Sequence, residues 1–184
     1  MPMRAIAVAA LLLMASLAMP DSAWSQRPSQ PGPQGGLDSP IGRVISVSGT
    51  VTVERTATAV SQVVAADGVI RLREGDVVYR GDTLLSGADS KASLTFADGT
   101  AFNIGSNARM VLNEFVYNPD AQSNSSLFSL LKGTFTFVAG KIAKTGNMKV
   151  DTPVATMGIR GTTPHVVVSE DGTVTFSTLV EEKR

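Results

Sequence analysis

The chain has 184 residues, no formal net charge, 17% charged residues and no cysteine. That length corresponds to about one domain. Neutrality argues against a nucleic-acid partner, which usually attracts a basic surface. The lack of cysteine excludes disulfides, thiolate metal sites and a cysteine-anchored lipoprotein.

The N-terminus reads as a secretory signal. Arg4 supplies a positive start, Ala5 to Met19 an apolar run, and Ala23-Trp24-Ser25 the small residues that a signal peptidase inspects. Cleavage is expected between Ser25 and Gln26. The alternative is a membrane anchor, but 15 helical residues cover only about 22 Å against a hydrocarbon core of about 30 Å. Cleavage removes one base (Arg4) and one acid (Asp21), so the mature chain stays neutral. Residues 26–40 carry four prolines and three glycines and are expected to form a flexible linker. The expected organisation is a signal peptide at 1–25, a linker at 26–40 and a β domain at 41–184.

From Ile41 the pattern has period two. Ile45, Val47, Val51 and Val53 are expected on one face of a strand bent at Gly49. Gly75-Asp76 and Gly81-Asp82 echo each other six residues apart, two turns enclosing a short strand at Val77 to Tyr79. Ala97-Asp98-Gly99 separates two alternating segments. A two-residue loop would put Phe102 and Ile104 on the face opposite Phe96. A three-residue loop, with Gly99 at positive φ and Phe96 paired with Thr100, gathers Leu94, Phe96, Phe102 and Ile104 on one face. The second geometry is predicted.

Met110 to Tyr117 is expected as a strand and Asn118 to Ser126 as an exposed loop. Leu127 to Val138 holds two apolar runs around Lys132-Gly133, with Phe135 and Phe137 sharing a face. Gly140 to Asn147 reads as a second loop. Two last strands flank Glu170-Asp171-Gly172, another hairpin. No stretch after residue 40 holds a period of 3.6. The expected fold is all-β: an elongated stack of short strands and hairpins, solenoid-like or an open sandwich, with no substantial helix beyond the signal peptide. Such a fold leaves an exposed edge strand open to a partner strand, with no one edge singled out.

Several markers occur in a specific order. They are Gly49-Thr50-Val51-Thr52-Val53, Leu72-Arg73-Glu74-Gly75-Asp76, Gly81-Asp82-Thr83-Leu84, Ala92 through Asp98-Gly99-Thr100, Leu130-Leu131-Lys132-Gly133-Thr134-Phe135, and Thr152-Pro153 through Arg160-Gly161-Thr162. Over roughly residues 43 to 168 this order resembles the FecR domain, named for the ferric-citrate regulator of bacterial envelopes. The resemblance implies an elongated all-β domain in the periplasm or beyond, and it does not imply catalysis. Ferric-citrate-type regulators carry an anti-sigma segment and a transmembrane helix before this domain. Here a cleavable signal and a linker stand there, so the sigma-factor mechanism does not carry over.

The motif residues taken as structural or partner-binding are Asp98, Gly99, Thr152, Pro153, Arg160, Gly161 and Thr162. Pro153 is expected to start a strand, and Arg160-Gly161 to form a tight strand junction. The Arg160 guanidinium has five donors and either ties adjacent strands through their carbonyls or meets a partner. Lys132, Lys141, Lys144 and Lys149 form a mild basic cluster, read as a solvated face. No catalytic, cofactor or metal residue is assigned, because no titratable groups converge. His165 is the one histidine, and the Asp-Gly pairs lack the glycine-rich repeat of calcium-binding solenoids. The expected function is a non-enzymatic exported module that binds another envelope protein or acts as a scaffold, with a link to envelope signalling. It is expected to bind no nucleic acid and to have no stable membrane insertion after cleavage. The alternative is a cap or structural component of a larger adhesin-type surface protein.

Overall fold

Short alternating segments separated by glycine turns produce, among the described residues, thirteen strands in one curled sheet. The computed structural model describes residues 39–55, 69–121, 123–161 and 163–178. The expected signal peptide, most of the expected linker and Thr162 lie outside them.

The strands are β1 (Gly42–Ser48), β2 (Val51–Glu54), β3 (Val69–Arg71), β4 (Val77–Val78), β5 (Thr83–Ser86), β6 (Lys91–Phe96), β7 (Ala101–Ile104), β8 (Arg109–Val116), β9 (Ser125–Val138), β10 (Met148–Asp151), β11 (Thr156–Ile159), β12 (Pro164–Val168) and β13 (Val174–Thr178). A five-residue helix, α1 (Lys141–Thr145), precedes β10. The sheet folds over itself into two layers. One runs β4-β1-β6-β7, the second half of β9, then β12-β13. The other runs β3-β2-β5-β8, the first half of β9, then β10-β11. All pairings are antiparallel except β9 with β10.

The chain crosses between layers where glycine permits it. Gly49, at φ +79°, turns β1 of one layer into β2 of the other. Gly133, at φ +102°, kinks β9. Before the kink Phe128 and Leu130 point inward; after it Phe135 and Phe137 do, so the parity of the buried residues switches there. A Cβ at Gly133 would overlap the Ala108 backbone, so only glycine lets the two segments approach this closely.

The facing layers bury a phenylalanine core. Phe96 meets Phe115 at 5.7 Å and Phe128 at 4.9 Å between ring centroids, and Phe102 meets Phe128 at 5.0 Å. Phe102 and Phe137 stack at 4.4 Å within one layer. Edge-to-face and offset contacts of this kind add to the burial of large apolar rings.

The β6–β7 hairpin has the three-residue loop. Phe96 N–H donates to Thr100 O at 2.8 Å, Gly99 has φ +86°, and Leu94, Phe96, Phe102 and Ile104 are all buried. The loop at Glu170–Gly172 repeats it, with Ser169 N–H on Thr173 O at 2.9 Å and Gly172 at φ +84°. The Gly-Asp echo also has one geometry. Asp76 accepts from Arg73 N–H at 2.7 Å, and Asp82 from Tyr79 N–H at 2.8 Å.

Four expectations are corrected. Ile45 is 48% exposed, and Val44 is buried in its place. The register of β1 against β6 shifts between Val44 and Ser46, and such a bulge reverses the alternation. The short strand between the two turns ends at Val78. Gly140 to Asn147 is α1 with its caps, burying Ile142 and Ala143, with Gly146 at φ +82° closing it. The Asn118–Ser126 loop is not open throughout: Asn124 is buried, takes Asn118 N–H at 2.7 Å and donates to Asn118 O and Ala121 O.

Candidate partner-binding hairpin

The C-terminal motif forms the β10–β11 hairpin. Asp151 pairs with Thr156, and Met148 with Ile159. Thr152 makes the turn between them: its N–H and hydroxyl both donate to Ala155 O, at 2.9 and 2.8 Å, and its oxygen accepts from Ala155 N–H at 3.2 Å. Pro153 therefore sits at an exposed hairpin tip and does not start a strand. A fixed φ and a missing N–H suit it to that corner, where no ladder bond is needed. Val154 beside it is 66% exposed.

One face of the hairpin is core. Met148, Val150 and Ile159 are buried there. The other face carries Lys149 opposite Gly158, then Arg160 two residues further on. Arg160 follows β11 directly, and continued alternation past Ile159 puts it on the Lys149 side of the hairpin. Both are exposed, and neither side chain makes a hydrogen bond or ion pair with another described residue. Among the described residues no bond from Arg160 ties adjacent strands. Gly161 does take a junction conformation, at φ +68°, between β11 and β12.

Asp98 belongs to a different structure. Its carboxylate is 1% exposed and accepts from Thr100 N–H at 2.9 Å, the Thr100 hydroxyl at 2.8 Å and Ile142 N–H at 3.3 Å. Its carbonyl takes Lys141 N–H at 2.9 Å. Asp98 therefore closes its own turn and anchors α1. Gly140 allows this approach, since a Cβ there would lie 2.7 Å from Asp98 O. The motif residues thus divide into a hairpin base (Arg160, Gly161), a hairpin tip about four residues away (Thr152, Pro153) and a buried anchor (Asp98) with its exposed turn glycine (Gly99).

Sequence reasoning missed a partly buried ion pair. Arg55 Nε and Nη2 each donate to Asp82 at 2.7 Å, and the guanidinium lies 4.5 Å over the Tyr79 ring. The hydrogen bond to Asp82 raises the Arg55 pKa further. Asp82 was legible as a turn residue; Arg55 is 27 residues upstream and nothing in the pattern links them. Of the basic cluster, Lys132 pairs with Glu170, while Lys141, Lys144 and Lys149 are exposed. A cavity of about 340 Å³ is lined by Ile41, Arg80, Phe115 and Tyr117 among others. Among the described residues that line it, Arg80 is the one that carries a charge. Among the described residues no three His, Cys, Asp or Glu side chains gather as metal ligands. No described helix is long and apolar enough to cross a membrane.

A family model described as FecR protein matches residues 82–181. The chain belongs to the FecR family. The match covers more than half of the chain, from Asp82 through β13, and so reaches further toward the C-terminus than the resemblance read from motifs alone. The Gly49 and Gly75 markers fall before it, though β1 and β2 share the FecR core. Searches of curated proteins and of solved structures returned no match.

Proposed function

We propose that this FecR protein is a non-enzymatic exported module that binds another protein of the bacterial envelope, using the outward face of the β10–β11 hairpin. The observation that carries this reading is the pair of unpartnered cations, Lys149 and Arg160, flanking the bare backbone of Gly158. Like charges on one face repel, and the carboxylate that shares this face, Asp151, accepts from the Thr156 hydroxyl and forms no ion pair with either cation among the described residues. An acidic segment of a partner would supply one, with Arg160 able to grip it bidentately. Val154 and Pro153 at the tip add apolar contact. The family's tie to envelope signalling fits such a role, and the expected signal peptide fits export.

Pull-down from the periplasm of the native host tests this. Lys149→Glu with Arg160→Glu is expected to lose a partner that the unchanged chain retains, while its unfolding midpoint stays put. Retention of every partner by the double variant would overturn the hairpin as the binding face. If the captured protein proves to be a surface fibre or adhesin, the module is a structural component and not a signalling one.

A further inference from the structure

Two layers that do not close leave four edge strands, and three of them are protected. β4 is two residues long and lies between tight turns, with Arg55 reaching Val77 O at 3.4 Å. β3 is three residues long and ends at Arg71, which bonds Gly49 O and Thr50 Oγ1. β11 is flanked by Arg160 and opposite Lys149, so a second β11 would bring like charges together. Short length and edge charges are the usual guards against unwanted pairing.

β13 has none of these guards. Val174-Thr175-Phe176-Ser177-Thr178 contains no charge, proline or glycine, and every residue after Val174 is exposed. It pairs with β12 along its whole length, and among the described residues its outer edge of N–H and C=O groups has no strand neighbour. Phe176 stands opposite the fully buried Val166, on the core-facing side, yet is 41% exposed. The core-facing side of this edge is therefore only half covered.

We infer that β13 pairs antiparallel with β13 of a second copy of this chain, about a two-fold axis at Phe176. The sequence of the strand is self-complementary in that register. Phe176 faces Phe176, Thr175 faces Ser177, and Val174 faces Thr178. Those are an aromatic pair, two hydroxyl pairs and two β-branched pairs, and none repels. An isologous two-fold contact of this kind needs only one patch on each copy. The chain's zero net charge leaves no long-range repulsion between copies. One five-residue pairing buries less than the roughly 1,200 Å² of a standard interface, so the dimer is reversible and grows with concentration.

The cysteine-free chain makes the register directly testable. Purified mature protein is run in sedimentation equilibrium over a concentration series, and then with introduced cysteines under oxidation. Thr175→Cys with Ser177→Cys keeps Phe176 and is expected to give a covalent dimer, since facing Cβ atoms lie within about 5.5 Å. Val174→Cys alone is expected to stay monomeric on the gel, because its two copies lie about 13 Å apart along the strands. Ser177→Lys places a charge on the edge without touching the core and is expected to weaken self-association at least about 30-fold. Lys149→Glu with Arg160→Glu is expected to dimerise unchanged, which separates this contact from the partner-binding face. A monomer at every concentration overturns the inference. So does equal cross-linking of the 174 and 175/177 variants, or a Ser177→Lys protein that associates like the original.

Discussion

Asp82 and Asp98 are both about 1% exposed, and both are saturated with donors. Asp82 takes the Arg55 fork and Tyr79 N–H; Asp98 takes Thr100 twice and the start of α1. Removing one partner of such a pair leaves a buried polar group alone. Asp82→Ala is expected to cost about 1–3 kcal/mol, read from urea unfolding, because Tyr79 N–H and the partly buried Arg55 guanidinium lose their acceptor. Arg160→Ala contrasts with it: an exposed side chain without bonds is expected to change stability by less than about 0.5 kcal/mol in the same assay. Glu170 and Asp171 in the last hairpin loop titrate below their ordinary values of 4.5 and 3.8. For Glu170 the cause is Lys132, and for Asp171 the Thr173 N–H. Folding favours their ionised forms, so what they contribute is whole above those ordinary values and is lost as pH falls through the lower folded ones. A proton titration of the loop by NMR should show both shifts, and Lys132→Met should return Glu170 toward 4.5.

At the scale of elements, glycine decides where strands turn and where they change layer, and the two uses differ in cost. Gly99 and Gly172 have positive φ, but a Cβ there meets nothing within 4 Å. Alanine at either is expected to cost only the conformational strain, about 1–2 kcal/mol. Gly133 combines φ +102° with collision against Ala108. Gly133→Ala is therefore expected to cost about 2–5 kcal/mol, strain and overpacking together. Thermal unfolding of the three variants side by side checks the ranking; equal effects would mean that the β9 kink is not sterically set. The hairpin at Asp98-Gly99 was readable beforehand because face bookkeeping left one loop length. α1 was overlooked because Lys141–Thr145 is too short to show a helical period. Its signal lay in Gly146, a helix-ending glycine placed after Ile142-Ala143.

Across the whole molecule, the phenylalanines join layers that the chain builds from separate stretches. Phe128 touches Phe96 and Phe102 of the opposite layer, so Phe128→Ala is expected to cost about 3–5 kcal/mol and to loosen both layers in one cooperative unfolding step. A variant that unfolds in two separate transitions would show instead that the layers are independent.

Period two, paired Asp-Gly turns and the ordered glycine markers determined, from the sequence alone, an all-β chain of the FecR family and the register of its β6–β7 hairpin. These are local properties: alternation, turn chemistry and spacing act over a few residues. The tertiary structure alone decided the rest. It placed Arg55 on Asp82, folded one sheet into two layers through Gly49 and Gly133, moved Ile45 outward by a bulge, and left Arg160, Lys149 and the β13 edge uncovered. Each depends on which distant segments meet, and the pairing of distant segments is set by the packing of the core as a whole.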